Sequence, residues 1–441
     1  MTTFAQLGLN ALLNRALEAK SYTDPTPIQQ QAIPVLMQGR DLCGIAQTGT
    51  GKTAAFALPS LHYLLENARA RPTKGCRMLV LSPTRELAAQ IAQSFRDYGR
   101  FARVSVETVF GGVPIGGQIR KLADGVDVLV ATPGRLIDLI EQRALTLKDV
   151  EIFVLDEADQ MMDMGFIHSL RKLAKMLPND RQNLFFSATM PREIADLARQ
   201  FLNDPVTVSV APQATTADRV AQRALFVNTN EKQALLHHVL QAETIDRALI
   251  FTRTKHGADR VVRHLAGANI RAAAIHGNKS QSQRTQALQA FRTGEVRLLV
   301  ATDIAARGID VSGVSHVINF EIPNVAEQYV HRIGRTARAG AEGIAISFVA
   351  PDERPYLRDI ERTTRNKLDV VALPEKFSEM VRNLPKPVAA PAQQERGRPG
   401  GGRGGDRSAQ PRGAEGEGQK RTFRPRRKAV GAFKSRVQRV G

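Results

Sequence analysis

The sequence contains no tryptophan, five tyrosines and two cysteines, and no apolar run of membrane-spanning length. Each shortage removes a class of molecule. Two cysteines cannot staple a chain of 441 residues, which excludes a disulfide scaffold. Cys43 and Cys76 both lie in apolar, strand-like runs, where a buried reduced thiol is the ordinary reading. No Cys/His spacing suits zinc, and the nine histidines are scattered apart from the pair His237-His238. Without an apolar run of about 18 residues, no spanning helix and no membrane partner are expected. Met1 to Lys20 lacks a basic region followed by an apolar block, so no signal peptide is expected, and a reducing cytoplasm is the expected location. Acidic residues are short as well, 43 against 62 Lys and Arg, for a net charge of +19. Such a surplus calls for an anionic partner. It is unevenly placed, because Pro385 to Gly441 alone holds 15 Lys and Arg against 4 Asp and Glu.

What is present is an ordinary globular composition, 42% apolar, on a chain long enough for two or three domains. Short runs of Val, Ile and Leu alternate with helical patterns. Strands are expected at Asp41–Ala46, Arg77–Ser82, Val104–Phe110, Val126–Ala131, Ile152–Asp156, Asn183–Ser187 and Val206–Val210. Between them lie stretches such as Arg85–Arg100, which sets Leu87, Ile91 and Phe95 on one helix face. Near-continuous apolar strands separated by amphipathic helices imply an α/β fold with a parallel sheet covered on both faces. Ala211–Ala221 is small, polar and aperiodic, a linker in pattern. The alternation then resumes, with strands expected at Ala248–Thr252, Ile270–Ile275, Val296–Thr302, Val314–Phe320 and Gly343–Val349. After about Pro374, Pro, Gly, Arg and Gln dominate, and a disordered basic tail is expected.

Three local patterns carry chemistry. Ala46-Gln47-Thr48-Gly49-Thr50-Gly51-Lys52-Thr53 follows an expected strand and opens a helix, the context of a phosphate-cradling loop, with Ala46 where the strict pattern has glycine. In such a loop Lys52 reaches the β- and γ-phosphates and Thr53 holds Mg2+. Asp156-Glu157 ends the apolar strand Phe153-Val-Leu, where a phosphate-loop enzyme keeps a metal-binding carboxylate; Glu157 beside it can orient and deprotonate a water. Tyr329 to Arg338 holds Arg332, Arg335 and Arg338, and i, i+3 spacing would put Arg335 and Arg338 on one helix face. Arginines aimed at a γ-phosphate are worth about 10³–10⁵ in rate. Together these patterns describe an NTPase without saying what it acts on.

Asp156-Glu157-Ala158-Asp159 with its companions resembles the DEAD-box RNA helicases. The resemblance spans about residues 1–370. Its motifs are Tyr22-Thr-Asp-Pro-Thr-Pro-Ile-Gln29 with Phe4 upstream, Pro83-Thr84-Arg85-Glu86-Leu, Gly111-Gly112, Thr132-Pro-Gly134-Arg135 and Ser187-Ala-Thr189. In the second half they are Phe251-Thr252-Arg253, His276-Gly277, Gln281-Ser-Gln-Arg284, Thr302-Asp303 through Arg307-Gly-Ile-Asp310, and the segment from His331 to Arg338. Thr252–Ser280 and Arg297–Arg307 look most like the bacterial RhlE-type group. Three departures stand out: Ser21 and Ala337, each where the family usually has glycine, and Ala46.

The resemblance implies two tandem RecA-like domains: an adenine-reading segment over 1–30, an ATP-binding domain over 31–210, a linker over 211–221, a C-terminal helicase domain over 222–370 and the tail over 375–441. It implies that Lys52, Thr53 and Asp156 hold ATP and Mg2+, with Thr53 and Asp156 on the metal, and that Glu157 is the base. Asp310 would reach the ribose, and Arg335 and Arg338 the γ-phosphate. Gln29 would pair bidentately with adenine N6 and N7, which guanine cannot match, and Tyr22 would stack on the base with Phe4 behind it. Ser187, Thr189, Asp159 and His331 would couple this site to RNA. RNA would lie along Pro83, Thr84, Arg85, Gly111, Gly112, Thr132, Gly134, Arg135, Thr252, Arg253, Gly277, Thr302 and Asp303. Glycines, small hydroxyls and arginines suit sugar-phosphate, with little base specificity.

The implied activity is RNA-stimulated ATP hydrolysis with local duplex separation by a monomer, in ribosome assembly or RNA turnover, with ribosomal precursors or decay complexes as partners. A DNA helicase shares the phosphate loop and arginines, and an ATP-dependent RNA clamp shares the closed state. The tail reads either as a loose RNA tether, through Arg396-Gly, Arg403-Gly-Gly and Lys420–Lys428, or as a solubilising segment.

Overall fold

Each apolar run recognised in the sequence becomes a strand, and in the computed structural model the strands gather into two seven-stranded parallel sheets. The structure describes residues 3–47, 49–210, 220–309, 311, 313–337 and 342–388. The first sheet holds β1 (Leu42–Ile45), β2 (Cys76–Leu81), β3 (Val106–Val109), β4 (Val126–Ala131), β5 (Ile152–Leu155), β6 (Gln182–Ser187) and β7 (Val206–Ser209) in the order β3-β4-β2-β5-β6-β1-β7. The second holds β8 (Val220–Phe226), β9 (Ala248–Thr252), β10 (Ala272–Ile275), β11 (Leu298–Thr302), β12 (His316–Asn319), β13 (Gly343–Val349) and β14 (Asp369–Val370) in the order β10-β11-β9-β12-β13-β8-β14. Strand by strand the two orders are the same, β8 standing where β1 stands and so on to β14 for β7.

Helices cover both faces of each sheet, as parallel strands require. One face of the first sheet packs Phe56, Phe95 and Phe186; the other packs Phe153 and Phe201. The helix Arg85–Tyr98 buries Leu87, Ile91 and Phe95, as its periodicity predicts. Both cysteines are free and buried. No described helix is long and apolar enough to cross a membrane.

Two boundaries differ from the sequence reading. The expected linker over 211–221 overlaps β8, whose Val220 is buried between β13 and β14; residues 211–219 lie outside the described residues. The tail was expected to lack structure from 375, yet Phe377–Arg382 is a helix. Phe377, Met380, Val381 and Leu384 complete the core around Leu235 and Val239, which gives this short segment enough apolar burial to order it. Residues 389–441 lie outside the described residues.

The two departures from glycine are both in left-handed backbone: Ser21 has φ 55° and Ala337 φ 53°. A side chain there costs about 1–2 kcal/mol relative to an unstrained site. Ala337→Gly and Ser21→Gly are therefore expected each to raise thermal stability by about 0.5–1 kcal/mol after glycine's larger chain entropy is subtracted. Thermal unfolding of the single variants checks this; an unchanged or lower midpoint for both would refute it.

Candidate active site

Because every strand is parallel, the loops at the C-terminal ends of β1 to β6 share one rim of the first sheet, and the loops after β9 to β13 share one rim of the second. The loop after β1 runs from Ala46 to Gly51 before the helix Lys52–Glu66. Ala46 N–H donates to Ser187 O at the end of β6. Gly51 has φ 93°, and a Cβ there would lie 2.4 Å from Gln29 Nε2, so both conformation and space demand glycine. Gly49 is also left-handed. Thr50 Oγ1 donates to Gln47 O at 2.7 Å, and Lys52 Nζ, buried, donates to Ala46 O at 2.8 Å. Thr53 follows in the first turn of the helix, partly exposed to the same cleft. Thr48 lies outside the described residues.

Gln29 lines the cleft. Its Oε1 accepts from Thr26 N–H at 2.8 Å and its Nε2 donates to Gly51 O at 3.0 Å. These two bonds fix the amide and use one site at each end, leaving a second N–H and a second lone pair. Thr26 Oγ1 adds a bond to Thr50 O at 2.8 Å. Gln29 and Thr26 latch the N-terminal segment to the phosphate loop and line the cleft while doing so. Tyr22, 41% exposed, borders the same cleft beside Tyr98, with ring centroids 6.4 Å apart. Phe4 is buried behind it in the core.

β5 delivers Asp156 and Glu157 to the cleft, both buried. Glu157 has φ 55°, a left-handed conformation rare for a glutamate and a form of strain often held at functional sites. Its backbone N–H donates to Asp156 Oδ1 at 3.0 Å, and its Oε2 has no hydrogen-bond partner among the described residues. Burial, then the neighbouring Asp156 charge, push the Glu157 carboxyl up to about 7, against the pull of Lys52 and Arg335. Burial raises Asp156 too, opposed by Lys52. Carboxylates with an unused buried oxygen, a hydroxyl at Thr53, a lysine and a left-handed glycine loop form a donor set that fits a nucleotide triphosphate with a hard divalent cation.

The second half contributes Arg335, also buried, which lines this cleft with Gly308. Its Nη1 donates to Ile309 O at 3.0 Å and its Nε to His331 O at 3.2 Å. The helix Ala326–Ile333 stops at Gly334, its C-cap, so Arg335 lies in the turn that follows, beyond the helix on which it was expected to share a face with Arg338. Arg338 and Asp310 lie outside the described residues.

The halves meet along a seam beside the cleft. Arg284 Nε donates to Glu86 Oε1 at 2.8 Å and its Nη2 stands 2.8 Å from Glu86 Oε2, with both side chains nearly buried. Burial works against the Glu86 carboxylate, but Arg284 holds its pKa below the ordinary value. Gln281 bridges Glu86 and Arg85, Arg307 Nη2 pairs with Asp163 at 3.0 Å, and Thr84 Oγ1 donates to Arg307 O at 3.4 Å. Gly308 sits so close that a Cβ would lie 2.7 Å from Leu87 Cβ and Thr84 Oγ1. Asp159 is a second junction. Its Oδ2 accepts from Ala188 N–H, Thr189 N–H and Thr189 Oγ1. His331 approaches it from the other half; burial lowers the His331 pKa while Asp159 raises it. Ser187 is buried at the end of β6 with no side-chain partner among the described residues.

The expected RNA residues divide into two groups. Gly134 and Gly277 have open space where a Cβ would project, and Gly111 and Gly112 lie against the Arg85 guanidinium. Pro83, Thr84 and Thr132 stand at the rim, where the backbone turns from strand to helix. Four side chains also make bonds within the protein. Thr252 is fully buried and donates to Thr254 O at 3.1 Å; Thr302 is its register partner on β11. Arg135 donates to Gln118 Oε1 and Val113 O. Asp303 is clamped by Arg332, with Nε–Oδ1 2.5 Å and Nη2–Oδ2 2.7 Å. Arg253 donates to Asn324 Oδ1 and pairs with Glu353. For Thr252, Arg135 and Asp303 these bonds fix the loops on the rim where RNA contact is expected. Arg332, Glu86 and Arg284 had no assigned role. No local signal pointed to the Glu86–Arg284 pair, because Arg85 already stands beside Glu86 in the sequence.

The DEAD/DEAH box helicase family model matches residues 26–197, and the helicase conserved C-terminal domain model matches residues 231–340. The chain is 44% identical over 386 residues to the RNA helicase CrhR of Synechocystis, covering 87% of this chain and 77% of that one. To the DEAD-box ATP-dependent RNA helicase CshA of Bacillus cereus it is 42% identical over 374 residues, covering 85% and 70%. Among solved structures it is similar to S. cerevisiae Dbp5 bound to RNA and ADP BeF3, with TM-score 0.74, 29% identity and coverage of 87% and 98%. Mss116p bound to ssRNA and AMP-PNP gives TM-score 0.75, 26% identity and coverage of 86% and 82%.

Proposed function

Because the chain belongs to the DEAD-box family of ATP-dependent RNA helicases, we propose that it separates short RNA duplexes locally by closing its two halves over ATP and one RNA strand. The observation that carries this reading is the cleft in which Arg335 of one half faces the phosphate loop and Glu157 of the other. A site assembled from two halves is complete only when they meet, so ATP and RNA that both favour closure favour each other. The seam pair Glu86–Arg284 adds to the closed state and lies beside Arg85 on the RNA rim.

When bound, ATP with Mg2+ on Thr53 and Asp156 supplies the γ-phosphate and neutralises part of its charge. Lys52 binds the phosphates, Tyr22 covers the base, and Glu157 takes the proton of the attacking water. Arg335 meets charge that develops on the γ-phosphate oxygens. Asp159, bonded to the Ala188–Thr189 turn, carries the state of this cleft toward His331 and the second half.

The finer placement follows from the sequence. Thr252–Ser280 and Arg297–Arg307 support the RhlE-type group, and the basic tail supports a loose RNA tether. Sugar-phosphate recognition without base readout fits work on ribosomal precursors or RNAs in turnover, by a monomer in the cytoplasm. The test is ATP turnover of the full chain with RNA, or with DNA of equal length, together with single-turnover unwinding of a short duplex. RNA is expected to stimulate, DNA to do so far less, and the duplex to open. Equal stimulation by DNA would favour a DNA helicase, and stimulation without unwinding would favour a clamp.

A further inference from the structure

The second sheet repeats the strand order of the first, so Lys232 occupies the place of Lys52: each opens the helix that follows its sheet's sixth-ranked strand, β8 or β1. In the first half that place binds phosphate. In the second, Glu353, from the turn after β13, fills it with a carboxylate. Glu353 Oε2 pairs with Lys232 Nζ and accepts from Ala350 N–H at 2.9 Å; Lys232 Nζ also donates to Phe348 O at 3.0 Å. Both side chains are 1% exposed. The other carboxylate oxygen, Oε1, lies 3.1 Å from Arg253 Nη2 and has no other partner among the described residues.

Arg253 is one of the arginines assigned to the RNA face. Its backbone N–H donates to Glu321 Oε2 at 2.7 Å, its Nη1 to Asn324 Oδ1 at 3.1 Å, and its side chain is 30% exposed. A flexible guanidinium is thereby held at both Nη atoms, while the side chain stays 30% exposed. Fixing the fork before phosphate arrives removes ordering entropy from binding. We infer that Glu353 and Lys232 are positioning residues for RNA: the buried carboxylate orients Arg253, and the buried Lys232 side chain holds that carboxylate in place. Without Lys232, Glu353 would be a buried anion paired only with the 30% exposed Arg253, whereas Lys232, Glu353, Arg253 and Glu321 together carry no net charge. The inference rests on the RNA-face reading above and adds the residues that orient it.

The experiment measures KM for RNA and kcat in RNA-stimulated ATP hydrolysis by the full chain. In Lys232→Met/Glu353→Gln both buried charges go, while an acceptor for Ala350 N–H remains, so folding is expected to survive. KM for RNA is expected to rise about tenfold, as for one weakened charge-assisted contact, with kcat at saturating RNA little altered. Glu353→Gln alone should raise KM similarly and lower Tm, since Lys232 is left buried and unpaired. In an Arg253→Ala background the double change should add nothing further. A lowered Tm with unmoved KM, or an equal KM rise in the Arg253→Ala background, would overturn the inference alone. An Arg253→Ala variant with parental KM would overturn both it and the placing of RNA at Arg253.

Discussion

Glu157→Gln is expected to lower RNA-stimulated ATP turnover by about 10²–10⁴-fold, the range for removing a general base, while the variant still takes up ATP and RNA. Glutamine keeps the size of the side chain and removes only its capacity to accept the proton. The structure gives three reasons to place the base here. Glu157 is buried in the cleft, one of its oxygens has no partner among the described residues, and burial together with Asp156 brings its carboxyl to about 7, near neutrality where proton transfer is most effective. The sign of the pH effect follows. The carboxylate is the active form, so kcat/KM should rise with pH and level off above about 7. Linkage gives the same group a second signature: folded, it holds its proton more tightly than unfolded, so its contribution to stability is present at low pH and lost as pH rises through about 7. Turnover at the parental rate, or a profile that falls across this range, would remove Glu157 from the role.

Arg335→Ala is the second large effect, an expected loss of about 10³–10⁵-fold in single-turnover hydrolysis at saturating ATP and RNA. Arg335 reaches the cleft from the second half and is fixed by Ile309 O and His331 O, so its guanidinium needs no rearrangement to meet developing charge. Arg335→Lys should recover little, because an ammonium lacks the planar fork that those two carbonyls orient. ATP binding to the first half should persist, since Lys52 and the phosphate loop are untouched. Hydrolysis within tenfold of the parent would mean that the γ-phosphate is met by another group.

The sequence read well where chemistry is local. A strand buried on both faces is a run of apolar residues, and twelve such runs could be recognised without any knowledge of their neighbours. Asp156-Glu157 and Lys52-Thr53 were legible for the same reason: strand, turn and helix lie within a few residues of each. β8 was harder, because Gln222 and Arg223 interrupt its apolar run; Gln222 is buried and accepts from the Tyr329 hydroxyl 107 residues away. The helix Phe377–Arg382 has no strong period and takes its order from the core it covers. Within the site, the hidden items were all partnerships. Gln29 reads as a base-recognising amide, but its bonds to Gly51 O and Thr26 N–H have no signature in the segment itself. Asp303 likewise gives no sign that Arg332, 29 residues on, holds its carboxylate. Glu86 and Arg284 are separated by 198 residues, and no pattern in either segment names the other.

The repeated strand order has one more consequence. The two sheets are ordered alike but equipped differently: the first carries the phosphate loop, and the second has Glu353 at the matching place and sends Arg335 toward its neighbour's loop. On the proposed function, one ATP would then set closure and release for both halves at once, an arrangement suited to opening a helix where the protein lands and unsuited to stepping along it.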